Sequence, residues 1–139
     1  MATVLLVDDD AKTRDVLKRR LVVEGYEVVE AVDGEGALAQ FRHFPTDLVM
    51  ADLRLPGMTG EEFISELLRQ HGGVRVLAIS GAPERLESLR FQQPVIRTLI
   101  KPFTNDQLMA AMEAALSNSP PQPAGTGVWG RVAALFGLR

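Results

Sequence analysis

Val4-Leu5-Leu6-Val7-Asp8-Asp9-Asp10 is a short apolar run that ends in consecutive acids, and it decides the fold. The same arrangement recurs further along the chain. Leu48-Val49-Met50-Ala51 leads into Asp52, and Leu99-Ile100 leads into Lys101-Pro102-Phe103. Apolar runs of this length read as strands buried on both faces of a parallel sheet, so the charges fall where the chain leaves the sheet. In open α/β sheets that carboxyl edge is where ligands bind. Carboxylates gathered there repel one another, by roughly 4 kcal/mol for two unit charges about 4 Å apart at an effective dielectric of 20. A cation is needed to offset this. A hard divalent ion such as Mg²⁺, bound by oxygens and short of a full protein cage, suits the edge and leaves coordination positions for a phosphoryl group.

Working outward, apolar strands alternate with amphipathic helices five times, which predicts βαβ units and a parallel sheet covered on both faces. Strands are expected near Thr3 to Val7, Glu27 to Val32, Asp47 to Ala51, Val74 to Ser80 and Val95 to Ile100. Between them Val16, Leu17 and Leu21, then Leu38 and Phe41, then Phe63, Ile64, Leu67 and Leu68 recur at helical spacing. Thr59-Gly60-Glu61-Glu62 and Thr104-Asn105-Asp106-Gln107 both fit a capping box. The last helix carries Leu108, Met112 and Ala115 on one face and ends near Leu116. Leu86, Leu89 and Phe91 allow a short helix between Pro83 and Pro94, where patterning is weakest.

A chain of 139 residues accommodates one domain with an extension. Its 46% hydrophobic and 24% charged residues are those of an ordinary globular protein. A net charge of −3 argues against a nucleic-acid binder. The absence of cysteine excludes disulfides and thiolate metal sites. No signal peptide or apolar stretch of roughly 20 residues is apparent, so no membrane span and a cytoplasmic location are expected.

After Leu116 the composition shifts. Residues 1–117 read as the domain and residues 118–127 as a Pro/Gly-rich linker. Residues 128–139 read as a short amphipathic segment with Trp129, Val132, Leu135 and Phe136 on one stripe.

Several residues at the sheet edge carry candidate chemistry. Asp10 is placed to cap the following helix, which leaves Asp8 and Asp9 for a cation. The turn after Asp52 already has Pro56 and Gly57, so Asp52 is not required there and reads as a nucleophilic or metal-binding carboxylate. Ser80 closes the fourth strand, with Gly81 leaving room beside its hydroxyl. Lys101 lies on the same edge, within reach of Asp52 or of a phosphate carried by it.

Four motifs in order resemble the receiver domain of the bacterial two-component response regulators, the family that includes the chemotaxis response regulator. They are Leu5-Leu6-Val7-Asp8-Asp9-Asp10, the stretch from Asp52 to Gly60, Ile79-Ser80-Gly81 and Ile100-Lys101-Pro102-Phe103. The resemblance covers residues 1 to about 117. It implies an α/β, flavodoxin-like, doubly wound five-stranded parallel sheet of order 2-1-3-4-5, with helices on both faces. It further implies that Asp52 accepts a phosphoryl group from a histidine kinase or histidine phosphotransfer protein. Asp8, Asp9, Asp52 and the backbone carbonyl of Arg54 would bind Mg²⁺, and Ser80 and Lys101 would contact the phosphate. The Lys101-Pro102 bond would be cis, and output would run through a downstream protein target without nucleic-acid binding by the chain itself.

One position departs from the family. Thr98 stands where receivers usually carry Tyr or Phe, and the segment from Phe91 to Arg97 lacks the common Gly-Ala turn. The ordinary aromatic switch is therefore not expected. The apolar stripe of residues 128–139 is expected to dock on a receiver surface of its own chain, near Thr98, or of a second copy in a homodimer.

Two other classes fit the sequence less well. A receiver-like interaction module would lack phosphorylation, which the full acidic set and Lys101 argue against. An aspartate-nucleophile phosphatase of the haloacid dehalogenase type would use paired aspartates, but Lys12 is wrong for it and no second acidic pair follows the later strands.

Overall fold

The structure, a computed structural model, describes residues 2–92 and 96–117. Strands and helices alternate without exception: β1 (Thr3–Val7), α1 (Ala11–Val23), β2 (Glu27–Ala31), α2 (Gly34–His43), β3 (Leu48–Asp52), α3 (Gly60–Gln70), β4 (Val76–Ser80), α4 (Pro83–Gln92), β5 (Ile96–Ile100) and α5 (Asn105–Ser117). All strand pairings are parallel, in the order β2-β1-β3-β4-β5. This is the order expected from the sequence.

Period-two alternation along each strand divides the core into two layers. Leu5, Val7, Val49, Ala51, Val76 and Ala78 pack against α2, α3 and α4 through Ala37, Leu38, Phe63, Ile64, Leu67, Leu86 and Leu89. Val4, Leu6, Leu48, Met50, Leu77 and Ile79 pack on the other face against α1 and α5 through Leu17, Leu21, Leu108, Met112 and Ala115. The three central strands are hydrophobic on both faces because both faces are covered. The edge strand β2 is only half-buried, and its sequence EVVEA is correspondingly more polar.

The elements begin and end where local chemistry dictates. Asp10 caps α1 through the Thr13 amide, at 2.9 Å. Thr59 and Glu62 form a reciprocal capping box at α3, and Thr104 and Gln107 do the same at α5. Asp33, not singled out from sequence, caps α2 through the Gly36 amide at 2.7 Å. Some boundaries shift from expectation. Val32 lies outside β2 and is half exposed, Val74 precedes β4, and Asp52 is the last residue of β3 rather than the first after it. Val16 shares the helical spacing of Leu17 and Leu21 yet is exposed, because the apolar stripe of α1 is narrow. The weakly patterned segment after Pro83 is helical through Gln92. The linker and the segment 128–139 lie outside the described residues, as does the expected β5 start at Val95.

Candidate functional site at the carboxyl edge of the sheet

Strand register brings the sequence-distant charges together. Val7 is level with Ala51, and Asp52 is level with Ile79, so Asp8 leaves β1 beside the end of β3. Ser80 pairs with Ile100, which delivers Lys101 one residue further along the same edge. Polar side chains are rarely buried without a partner or a task. Among the described residues three polar or charged side chains are buried, Asp8 at 3% exposure, Asp52 at 7% and Ser80 at 5%. All three belong to this edge.

Each is held by specific contacts. Asp52 Oδ1 accepts from the Arg54 amide at 2.8 Å, while Oδ2 is ion-paired with Lys101 Nζ. Asp8 Oδ1 accepts from the Asp10 amide at 2.9 Å, and its backbone carbonyl accepts from Arg14 Nη1 at 2.8 Å. Arg14 and Lys18 in turn pair with Glu30, which ties α1 to β2 behind Asp8. Ser80 Oγ accepts from the Ala82 amide at 2.9 Å, which leaves its hydroxyl hydrogen free to donate elsewhere. A Cβ at Gly81 would meet Lys101 Cβ at 3.9 Å, an ordinary contact, so the space beside Ser80 does not depend on the glycine. Asp9 is exposed at the rim. The Lys101-Pro102 bond is cis, as expected. Thr98 is half-buried on β5 and pairs with Ala78.

The electrostatics are those of crowded anions. Burial pushes the Asp8 carboxyl above its ordinary pKa, the Asp10 amide opposes this, and the charges of Asp52 and Asp9 add to the rise. Lys101 offsets part of it. Hard oxygens therefore converge with an excess of negative charge, which fits a divalent cation by donor chemistry. Among the described residues no three acidic or histidine side chains are gathered closely enough to form a metal cage by themselves.

A pocket of about 270 Å³ lies between these ends, lined by Asp52, Arg54, Ser80, Ala82, Arg85 and Lys101. A larger groove, of about 760 Å³, opens at the amino edge around Val22, Tyr26, Val28 and Phe44. Glu27 is the one charged residue lining it, so it offers little chemistry. The smaller pocket is the one that the charges of the carboxyl edge line.

Three participants escaped the sequence reading. Arg85 on α4 pairs bidentately with Glu61 on α3 and donates from Nη2 to the Leu53 carbonyl at 3.0 Å. Gly60 enters the sequence reading only as part of the turn, the capping box and the Asp52–Gly60 motif, with no packing role of its own. A Cβ there would stand 2.4 Å from Leu53 Cα and 2.9 Å from the Asp52 carbonyl oxygen, so only glycine lets α3 start against the Asp52 backbone. No local signal marks Arg85 or Glu61, since their pairing spans 24 residues.

Comparisons with known proteins agree with this fold. The chain is 35% identical over 123 residues to the transcriptional regulatory protein GlrR of Escherichia coli (strain K12), covering 86% of this chain and 27% of GlrR. It is 32% identical over 122 residues to the DNA-binding response regulator MtrA of Mycobacterium tuberculosis (strain ATCC 25618 / H37Rv), covering 87% of this chain and 53% of MtrA. The chain thus spans about a quarter and about half of those curated relatives. Among solved structures, chemotaxis protein CheY4 of Vibrio cholerae superposes with a TM-score of 0.76 at 31% identity, over 84% of this chain and 99% of CheY4. Response regulator protein TrrA of Thermotoga maritima, in complex with Mg(2+)-BeF, gives a TM-score of 0.76 at 29% identity, over 84% of this chain and all of TrrA, 100%. The family model described as the response regulator receiver domain matches residues 4–113. That match sets aside the aspartate-nucleophile phosphatase, and the chain belongs to the receiver domains of two-component response regulators.

Proposed function

We propose that this receiver takes a phosphoryl group on Asp52 from a phosphohistidine of a histidine kinase or histidine phosphotransfer protein, and passes the signal to a downstream protein target. The observation that supports it most is that the buried polar side chains Asp8, Asp52 and Ser80 share one strand edge, with Lys101 paired to Asp52. In the transfer the P–N bond of the partner's phosphohistidine breaks as a P–O bond to the Asp52 carboxylate forms. The imidazole leaves with the electron pair and takes a proton from solvent.

A carboxylate is a weak nucleophile, so positioning and charge stabilisation supply most of the acceleration. The Arg54 amide fixes Asp52 through Oδ1. Lys101 is the resting counter-charge on Oδ2 and can follow the charge onto a phosphoryl oxygen, where a charge-assisted hydrogen bond is stronger than a neutral one. Ser80 can donate its hydroxyl to a second phosphoryl oxygen. Asp8, Asp9, Asp52 and the Arg54 carbonyl would hold Mg²⁺, which when bound neutralises phosphoryl charge. This ion usually keeps several waters and binds through one or two carboxylates plus phosphate oxygens, so it does not require a full protein cage. The Mg(2+)-BeF complex of TrrA supports the same assignment by likeness.

The reading places the protein in the cytoplasm, working by protein contacts rather than as a free-standing enzyme. Among the described residues no helix is long and apolar enough to cross a membrane. Acetyl phosphate with Mg²⁺ should add one phosphoryl group per chain by intact mass. Removal of Mg²⁺ by a chelator, or Asp52→Asn, should abolish it; full labelling of Asp52→Asn would overturn the assignment.

A further inference from the structure

Two guanidinium side chains line the pocket without a task in the phosphoacceptor reading, the exposed Arg54 and the half-buried Arg85, and Arg85 is the one held in place by defined contacts. It lies in the first turn of α4 and lines the same 270 Å³ space as Asp52, Ser80 and Lys101. Its guanidinium is held by two kinds of acceptor, the Glu61 carboxylate at the start of α3 and the carbonyl of Leu53, the residue after Asp52. Glu61 contributes most to raising the Arg85 pKa, with Asp52 adding to it, so the acceptor's charge already acts on this side chain. Both partners are about one-third exposed, which keeps the exchange of one anion for another inexpensive.

We propose that Arg85 is a ligand of the aspartyl phosphate, and that Glu61 is the resting partner it gives up. This rests on Asp52 as acceptor. A phosphoryl group on Asp52 brings a more highly charged anion with several acceptor oxygens into a pocket where only one carboxylate stood. The guanidinium fork matches phosphate oxygens bidentately as well as it matches a carboxylate. Transfer of Arg85 from Glu61 to the phosphate would detach the first turn of α4 from α3. That provides a route from the acceptor to a helix surface that does not depend on an aromatic side chain at Thr98.

The pair makes a test with opposite signs. Beryllofluoride binding with saturating Mg²⁺ would be measured by calorimetry on the full chain and on Arg85→Gln, Arg85→Lys, Glu61→Gln and the Arg85→Gln/Glu61→Gln double variant. Arg85→Gln should weaken binding about tenfold, the scale of one charge-assisted hydrogen bond, with Arg85→Lys in between. Glu61→Gln should tighten binding several-fold, and only while Arg85 is present. A purely structural ion pair would give weaker or unchanged binding in Glu61→Gln. A general charge effect would give equal tightening with and without Arg85, and either result overturns the proposal. If the unaltered chain fails to bind beryllofluoride at all, the acceptor reading itself fails; if it binds and the variants match it, only the Arg85 role is lost.

Discussion

Helices α3 and α4 flank Asp52 but are attached to the fold by different means. α3 buries Phe63, Ile64 and Leu67, closes its start with a full capping box, and wedges Gly60 against the backbone of Asp52 and Leu53. α4 buries Leu86 and Leu89 among its described side chains, and its first turn is tied across to α3 by Arg85 and Glu61. The first attachment is mainly apolar packing and close backbone contact, with a cap of its own at the start. The second includes a part-exposed ion pair beside Asp52, the proposed acceptor. Under the proposed function, α3 would hold Asp52 still and α4 would respond to its change of charge.

The contrast can be broken most forcefully at its apolar end. Phe63→Ala should destabilise the fold by about 3–5 kcal/mol in urea denaturation, because a fully buried aromatic leaves a cavity. Leu86→Ala, near the start of α4, should cost about 2 kcal/mol, at the low end for a buried leucine. Equal losses at the two positions would show that α4 is anchored as firmly as α3.

Gly60→Ala comes next, at about 1–3 kcal/mol, since the new methyl would overlap backbone atoms that cannot rotate away. Labelling of Asp52 should slow as well, because the displaced atoms belong to Asp52 and Leu53. Thr59→Ala should cost about 1 kcal/mol through loss of the cap, with little effect on labelling.

The smallest effect is the pH dependence of the pair. The Arg85 hydrogen bonds hold Glu61 below the usual carboxylate range. Its contribution is therefore present in full above the unfolded glutamate pKa, and is lost as pH falls through the depressed folded value. The melting-temperature difference between the wild-type chain and Glu61→Gln should accordingly be larger at pH 7 than at pH 3. A difference that grows toward acid would mean that the pair does not stabilise the link between α3 and α4.

The division also explains what could be read before the structure was known. Asp8, Asp52, Ser80 and Lys101 were legible because each terminates an apolar strand, and a parallel sheet puts all such ends on one edge. The two capping boxes were legible because their partners are three residues apart. Gly60 was seen, but its reason was not, since the clash it avoids is with a different segment of backbone. Arg85 and Glu61 were invisible because a charged residue early in a polar helix looks solvated until the fold sets another helix beside it. The length of α4 was uncertain for the same reason: its own pattern is weak and tertiary contacts fix it.

The central claim is that phosphorylation of Asp52 is felt by α4 while α3 holds. Amide hydrogen exchange, with and without beryllofluoride and Mg²⁺, tests it most directly on the wild-type chain and on Asp52→Asn. We predict that exchange changes across residues 81–92, that residues 61–70 keep their protection, and that in Asp52→Asn neither segment changes. Changes confined to α3, or the same response in Asp52→Asn, would contradict it.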